Sequence, residues 1–454
     1  IMNNSDLIII GSGPGGYRAA HFAATNGLSV VIIEAKEAGG TCLNRGCIPT
    51  KTLCRNAEVV ETVRKAAAFG AEASLGTIDF AKVIERKDQV VSQLRSGIEL
   101  LMQTPGITFV KGTASFKDAH TVAVGDELYT AKNIIIATGS EAKMPPIEGI
   151  NVPGVVTSTE LLALTTLPRR LCIIGAGVIG MEFASIFSSL GSEVKVIEFL
   201  KECLPTLDSD IAKRLRQAIS KRGVDFSMQS GVKSIREENA EDGSRQLVVT
   251  FEKKGKASEV SADIVLVATG RRAVVEGLNL EAAGIECGRT GIVVDDNFQT
   301  NVEGVYAIGD VNGRCMLAHA ATFQGLHVVR RILGKEDNIR FDIMPSAIFT
   351  TPEAASVGKS EDNLKDAGTE YVCRKGFYRS NGKALAMDAT DGMIKLFVTP
   401  EDRRILGCHA YGAHSSDIIQ EVAALMNKDA TVSELADIIH THPTLSEVLH
   451  DISL

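Results

Sequence analysis

Apolar residues fall along the chain in short unbroken runs set beside glycine clusters, and this arrangement occurs twice. Asp6-Leu7-Ile8-Ile9-Ile10 reads as a parallel strand buried on both faces, because no polar residue alternates with the aliphatic ones. A glycine cluster follows, then an alanine-rich helical stretch from Tyr17 to Asn26, and Leu28 to Ile33 supplies a second strand ending in Glu34. The same order returns at Leu171 to Ile174, a helix running through Leu190, and a strand from Val194 to Ile197 ending in Glu198. A third echo pairs Ile134-Ile135-Ile136-Ala137-Thr138-Gly139 with Val265-Leu266-Val267-Ala268-Thr269-Gly270, each a strand closing on a glycine that lets backbone approach a ligand. Glu237 to Gly243 reads as a solvated hairpin turn. Ile418, Ile419, Val422, Leu425 and Met426 recur at helical spacing, a face that suits either a subunit interface or a core.

The glycine clusters are Gly11-Ser12-Gly13-Pro14-Gly15-Gly16 and Gly175-Ala176-Gly177-Val178-Ile179-Gly180, both G-x-G-x-x-G between a strand and a helix. Gly11 and Gly175 permit the tight turn, Gly13 and Gly177 let backbone approach a pyrophosphate, and Gly16 and Gly180 let helix and strand pack closely. Glu34 follows Gly11 by 23 residues and Glu198 follows Gly175 by the same 23. Two purely structural turns would account for the glycines but not for the repeated spacing to an acid. Two dinucleotides are therefore predicted. A carboxylate at that strand end accepts hydrogen bonds from a ribose 2′-hydroxyl and repels a 2′-phosphate, and the nearby cation after Glu198 is Lys201 rather than an arginine cluster. The second site is read as one for NAD.

With 454 residues the chain has room for roughly three domains of about 150 residues. Its 44% apolar and 23% charged content is ordinary for a globular protein and excludes a disordered or fibrous one. The net charge of -8, with no basic block, argues against a nucleic-acid partner. No apolar run reaches the roughly 18 residues of a membrane span, so no membrane association is expected. Neither is a signal peptide, and a cytoplasmic location is the default expectation. Ile1, ahead of Met2, is read as a remnant of expression and set aside.

Nine cysteines are scattered over this length, unlike the dense framework of a small secreted domain. Two of them lie five residues apart in Gly39-Gly40-Thr41-Cys42-Leu43-Asn44-Arg45-Gly46-Cys47-Ile48-Pro49-Thr50-Lys51. Five residues of regular helix rise about 7.5 Å, beyond the roughly 7 Å that a disulfide tolerates between Cα atoms. A bond would need an irregular turn, for which Gly46 is suited, with Pro49 in the first turn of a helix running through Val60. Cys47 would then sit near a helix N-terminus, which favours a thiolate. Two buried apolar cysteines, or a zinc pair completed by His440 and His442, are the alternatives; the histidines' i,i+2 spacing before a proline suits zinc poorly, and no metal is expected.

The cysteine segment, both fingerprints, Gly304-Val305-Tyr306-Ala307-Ile308-Gly309-Asp310 and the terminal His442-Pro443-Thr444 to Glu447 resemble the flavin-dependent pyridine nucleotide-disulfide oxidoreductases, from Asp6 to Glu447. Within that family the cysteine segment is most similar to the dihydrolipoyl dehydrogenases, whose motif reads G-G-T-C-L-N-x-G-C-I-P-[ST]-K. Glutathione reductases follow the second cysteine with V-P-K-K. Mercuric reductases carry a C-terminal cysteine pair, whereas this chain has no cysteine after Cys408, and soluble transhydrogenases lack the redox pair.

The resemblance implies an α/β fold of two Rossmann-like dinucleotide-binding domains plus a C-terminal α+β dimerisation domain. The expected boundaries are 1–147 for FAD, 148–272 for NAD, 273–342 for a central segment completing the FAD site, and 343–454 for dimerisation. Met144-Pro145-Pro146 and Leu167-Pro168 bracket the passage between the nucleotide domains. The resemblance makes Cys42 and Cys47 a redox-active disulfide and places Lys51 by the reactive flavin nitrogen, paired with Glu182. It assigns Asp310 to the FAD ribityl chain, with Leu317, Ala318 and His319 close by, and counts Thr41, Gly112, Thr138, Gly139, Val232 and Gly270 among the cofactor contacts.

It also makes His442 the base, oriented by Glu447, although Thr444 to Glu447 equally fits a capping box, T-x-x-E. The implied reaction is oxidation of a protein-bound dihydrolipoyl dithiol by NAD, with a homodimer serving a 2-oxoacid dehydrogenase or glycine cleavage complex through its lipoyl domain. An NAD(P)H-dependent reductase of a small disulfide is the nearest competitor, and a non-catalytic redox sensor is the reading from another class.

Overall fold

The computed structural model describes residues 2–454, so Ile1 lies outside the described residues. The fold is mixed α/β and divides into two compact units, each assembled from three separate stretches of chain. Among the described residues the first unit comprises 2–52, 81–143 and 270–339, the second 53–80, 144–269 and 340–454.

In the first unit the strands Ile107–Lys111, Val30–Glu34, Met2–Ile10, Glu127–Ile136 and Val305–Ala307 pair in that order, all parallel. Two short antiparallel strands, Ala114–Asp118 and Thr121–Val124, complete this seven-stranded sheet. Leu7 through Ile10 and Ile134 through Ile136 are buried on both faces, as their unbroken aliphatic sequence requires in a sheet covered on both sides. Ala19, Ala20 and Ala23 of the helix Pro14–Thr25 are fully buried, small enough to let the helix lie close to the strands.

The second unit holds three sheets. Asp225–Met228, Glu193–Glu198, Arg170–Ile174, Ile264–Val267 and Val155–Val156 form a parallel sheet in that order, with the helix Val178–Leu190 following the central strand. Gly231–Asn239, Arg245–Lys253 and Lys256–Ala262 form an antiparallel meander, and the expected acidic turn joins its first two strands. The C-terminal stretch forms an antiparallel sheet in the order Ser346–Ile348, Ala354–Gly358, Ile405–Tyr411, Met393–Val398 and Val372–Phe377.

The helix Ser415–Met426 packs on this last sheet. Its apolar face, which the sequence left open between interface and core, belongs to the core: Ile418, Ile419, Val422 and Met426 are buried among Ile394, Leu396, Val398 and Cys408, with Leu425 half-buried against them. Amphipathic spacing reports that a face is covered but not by what.

Candidate active site

In the first unit, Gly11 takes a φ of +104°, and a Cβ there would lie 2.4 Å from the Ala137 carbonyl oxygen. A Cβ on Gly16 would lie 1.9 Å from the Gly11 carbonyl oxygen. Only glycine at these two positions lets strand, turn and helix close on one another. Gly13 is different in kind: its φ is -66°, open to any residue, and nothing lies within 4 Å of its Cβ position. The protein itself does not need a glycine there, and the open space leaves room for a ligand over the backbone. The helix that starts here has no side-chain cap and no acidic residue in its first turn, which leaves its amides to an anion.

Glu34, 9% exposed, stands at the lip of this turn. Its Oε2 accepts the Ser12 amide at 2.8 Å and the Ser12 hydroxyl at 2.7 Å, and its Oε1 accepts the Lys36 amide at 2.7 Å. The carboxylate therefore fixes the turn as well as presenting acceptor capacity, since two carboxylate oxygens offer about four lone-pair sites. Gly139, at a φ of +74°, has open space where its Cβ would be. Thr138 donates its hydroxyl to the Val274 carbonyl at 2.7 Å. Gly112 is a closure point, since its amide donates to the Glu34 carbonyl at 2.9 Å and a Cβ would come within 2.4 Å of Val124.

Asp310 lies in the short helix Gly309–Asn312. It accepts the Ser140 hydroxyl, while the Arg271 guanidinium donates to that hydroxyl at 2.7 Å and to the Ser140 carbonyl at 2.6 Å. Burial pushes the Arg271 guanidinium below its ordinary value, countered by the charges of Asp310 and Glu141. Sequence reasoning missed Ser140 and Arg271, although a signal existed: each directly follows one of the two A-T-G repeats, and the strands Ser140–Ala142 and Arg271–Ala273 pair antiparallel. Leu317 is the N-terminal flanking residue of the helix Ala318–Ile332, with His319 exposed in its first turn.

Cys42 and Cys47 form a disulfide with Cα atoms 4.7 Å apart. Cys42 belongs to the short helix Gly40–Arg45, Cys47 opens the helix Cys47–Lys65, and Gly46 breaks the path between them at φ -141°, ψ -112°. That break is what shortens the helical spacing to a bonding distance. A Cβ on Gly40 would stand 2.6 Å from the Gly13 Cα, so the cysteine segment lies directly against the first glycine-rich turn. Thr41 precedes Cys42 in its helix, and Lys51 follows Cys47 by one helical turn. The other seven cysteines carry free thiols; burial pushes Cys172 up to about 12 and Cys203 and Cys408 higher still.

The second unit repeats the cradle. Gly175 has φ +105° with its Cβ position 2.5 Å from the Ala268 carbonyl oxygen, and that of Gly180 is 2.0 Å from the Gly175 carbonyl oxygen. Gly177 again has nothing within 4 Å, and the helix Val178–Leu190 starts with neither a side-chain cap nor an acidic first turn; Gly270, with open space at its own Cβ position, opens the last stretch of the first unit. Glu198 accepts the Ala176 amide at 2.6 Å and the Leu200 amide at 2.7 Å. Val232 is half-buried at the start of the meander. Open space over the middle glycine, uncapped amides and a fixed acid together fit a dinucleotide in each unit. Glu182, 3% exposed on the second cradle's helix, accepts the Phe349 amide at 2.9 Å.

His442 follows the Cys408 strand by way of two helices and donates through Nδ1 to Glu447 Oε1 at 2.8 Å. Its side chain is 79% exposed in the single chain. The other Glu447 oxygen accepts the Thr444 amide at 2.7 Å, and that bond, followed by the one with His442, holds the carboxyl below the usual carboxylate range. Only half of the capping box forms: Glu447 accepts the Thr444 amide, but the last helix, Glu447–Asp451, begins at Glu447 itself, and among the described residues the buried Thr444 hydroxyl has no partner. Glu447 thus serves the loop and the histidine at once. His440, by contrast, directs Nε2 to Glu421 at 2.7 Å.

Residues 5–325 match the family described as pyridine nucleotide-disulphide oxidoreductase, and residues 344–452 match its dimerisation domain. The chain is 38% identical over 460 residues to "Dihydrolipoyl dehydrogenase, mitochondrial" of Pisum sativum, spanning 100% of this chain and 91% of that protein. It is 39% identical over 451 residues to "Dihydrolipoyl dehydrogenase" of Chlamydia muridarum, spanning 98% and 95%. Among solved structures it is similar to a Cu(II) complex of the HOCl-induced flavoprotein disulfide reductase RclA from Escherichia coli, with a TM-score of 0.88, 32% identity and coverage of 100% and 99%. Matched in both its nucleotide-binding and its dimerisation regions, the chain belongs to the pyridine nucleotide-disulphide oxidoreductase family.

Proposed function

We propose that the protein oxidises protein-bound dihydrolipoyl groups to lipoyl disulfide at the expense of NAD. The observation that carries this reading is the Cys42–Cys47 disulfide opening a helix and lying against a dinucleotide cradle, in a chain that is 38% identical to a dihydrolipoyl dehydrogenase along its whole length. FAD is assigned to the first cradle, through Gly11, Gly13, Gly16, Glu34 and Asp310, and NAD to the second, through Gly175, Gly177, Gly180 and Glu198. When bound, these two groups supply two-electron transfer from the reduced cysteine pair to a nicotinamide.

What remains is the work of the chain's own residues. His442 Nε2, with Nδ1 held by Glu447, accepts a proton from one substrate thiol. The resulting thiolate attacks Cys42 Sγ, the Cys42–Cys47 bond breaks, and Cys47 leaves as a thiolate at a helix N-terminus, where negative charge is favoured. The second substrate thiol then attacks the mixed disulfide at the substrate sulfur and gives its proton to the departing Cys42 sulfur, which closes the lipoyl ring and leaves a Cys42 thiol, a Cys47 thiolate and protonated His442. Lys51, one turn beyond Cys47, is assigned to the flavin, as are Thr41, Gly112, Thr138, Gly139, Leu317, Ala318 and His319. Val232 and Gly270 are assigned to NAD, and Glu182 to the catalytic set.

The dimerisation-domain match supports a homodimer, and the exposure of His442 suits a base that serves the disulfide of the other copy. The partner in this reading is the lipoyl domain of a 2-oxoacid dehydrogenase or glycine cleavage complex, and the location is cytoplasmic. No helix among the described residues is long and apolar enough to cross a membrane. The domain division 1–147, 148–272, 273–342 and 343–454 belongs to the same proposal.

The test is a mixed dimer. Purified His442→Ala should lose dihydrolipoamide oxidation and keep NADH-driven flavin reduction, and co-refolding it with Cys47→Ser chains should restore one working site in two. Mixed dimers that form and stay inactive would overturn the trans-acting base. Turnover of glutathione disulfide with none of dihydrolipoamide would overturn the substrate assignment.

A further inference from the structure

The C-terminal sheet carries a polar row that the reaction does not use. Ser356, His409, Lys395 and Lys375 are direct cross-strand neighbours on four adjacent strands. Lys395 is completely buried, and its ammonium donates to both oxygens of Asp208, at 2.8 and 2.9 Å, and to Glu361 at 2.6 Å. Burial alone would lower the lysine, but the bonds from Asp208 and Glu361 outweigh it and hold it above its ordinary value. Glu361 is in turn pushed down to about 2, chiefly by its bond with Lys395.

Asp208 is where this row meets the nucleotide-binding part of the same unit. It caps the helix Ser209–Lys221, accepting the amides of Asp210 and Ile211 at 3.2 and 3.3 Å. Its own amide donates to His409 Nδ1 at 3.0 Å, and its Oδ2 accepts the Glu361 amide at 3.2 Å. Nine residues separate it from Glu198, and that loop folds back on the second glycine-rich turn. Leu204, at a left-handed φ of 51°, donates its amide to the Ala176 carbonyl at 3.0 Å, and the Leu207 amide bonds to Leu204 at 2.9 Å. Ala176 also gives its amide to Glu198, so one residue of the turn is held through both its N–H and its C=O. A buried leucine in that conformation is held there by its surroundings, at a cost on the order of 1–2 kcal/mol.

We propose that Lys395 is a positioning residue for the second nucleotide site: by fixing Asp208 it anchors the far end of the loop 199–207 and so holds Leu204 against the glycine-rich turn and Glu198 at the ribose position. This rests on the reading of that turn as the NAD site. A lysine that only stabilised the sheet would lower stability without singling out NAD; a positioning residue weakens NAD and leaves the dithiol half of the reaction alone.

The experiment compares unmodified and Lys395→Met holoenzyme by two measurements. One is the NAD dissociation constant by calorimetry, expected to rise roughly 3- to 30-fold, the range for disrupting a coupled network. The other is the rate at which dihydrolipoamide reduces the enzyme with no NAD present, expected to change less than twofold. An unchanged NAD dissociation constant, or losses of equal size in both, overturns the proposal. Should Lys395→Met fail to fold because Asp208 is left as a lone buried charge, the double variant Lys395→Met, Asp208→Asn removes both charges, keeps an oxygen cap, and decides by the same two criteria. If dihydrolipoamide fails to reduce even the unmodified holoenzyme, the substrate assignment falls, while the NAD measurement still decides the role of Lys395.

Discussion

Two alanine substitutions in the second glycine-rich turn separate what the protein needs from what its ligand needs. At Gly180 the added methyl carbon would lie 2.0 Å from the Gly175 carbonyl oxygen, 3.1 Å from its carbon and 3.3 Å from Ile173. To reach an ordinary contact of about 3.4 Å, helix and strand must part by about 1.4 Å, backbone against backbone. Overpacking of that kind costs typically ~1–3 kcal/mol, and here the colliding atoms cannot rotate away. At Gly177 the methyl meets nothing within 4 Å, and the residue's φ of -74° and ψ of -175° suit alanine. Replacing glycine at such a position stabilises by about 0.4–1 kcal/mol through the unfolded chain. The methyl would, however, occupy the space over the helix amides. Gly177→Ala should therefore melt at or slightly above the temperature of the unmodified protein yet bind NAD at least about tenfold more weakly, a loss of about 1.4 kcal/mol. Gly180→Ala should melt lower and lose NAD as a consequence. The assays are thermal unfolding of the apo second site and calorimetric titration of NAD. A Gly177→Ala protein with unchanged NAD affinity would refute the placement of the pyrophosphate, and a fully stable Gly180→Ala protein would refute the steric argument.

Three further outcomes are expected. Cys42→Ser and Cys47→Ser should each abolish lipoamide turnover while retaining FAD, read from the visible flavin spectrum of the purified protein; normal turnover in Cys47→Ser would remove the disulfide from the mechanism. Glu198→Gln keeps an acceptor for one of the two backbone amides while removing the charge, so kcat/KM for NADP should rise relative to NAD; an unchanged ratio would place nucleotide discrimination elsewhere. Burial holds His409 at about 4, below its ordinary 6.5, so the unfolded chain takes up the proton first as pH falls. Stability should drop between about pH 6.5 and 4 by up to roughly 3 kcal/mol, and His409→Gln should flatten that part of the melting-temperature profile if the assignment holds.

Much of this site was legible in the sequence because its parts are local. Gly11 to Glu34 and Gly175 to Glu198 are each one strand-turn-helix-strand unit, and the steric demand on Gly11, Gly16, Gly175 and Gly180 comes from atoms a few residues away or from the A-T-G strand that the sequence also repeats. The break at Gly46 was legible for the same reason. What sequence alone leaves open depends on distant partners. The helical face at Ile418 to Met426 looks the same whether a second subunit or its own sheet covers it, and the structure shows the sheet. T-x-x-E at Thr444 to Glu447 is a full cap only if a helix starts beside Thr444, and the helix starts at Glu447 instead. The A-T-G repeats mark Ser140 and Arg271 as equivalent positions, but not that the two side chains bond across 131 residues.

The buried polar row has a second consequence, for the alignment of strands. Every residue of Met393–Val398 is buried, and Ile394, Leu396 and Val398 on one face are as apolar as Met393 and Phe397 on the other. Hydrophobic alternation, which ordinarily distinguishes correct pairing from a slip of one residue, is nearly silent in such a strand. Lys395 breaks the degeneracy. A one-residue slip against Ile405–Tyr411 would turn its ammonium away from Asp208 and His409 and into the face occupied by Cys408 and Ala410, among the aliphatic side chains of the core. A single unpaired charge in that core costs several kcal/mol, far more than the loss of any one aliphatic contact. In the folding of the C-terminal sheet the lysine acts as a key that admits one alignment of the central strands and rejects its neighbours.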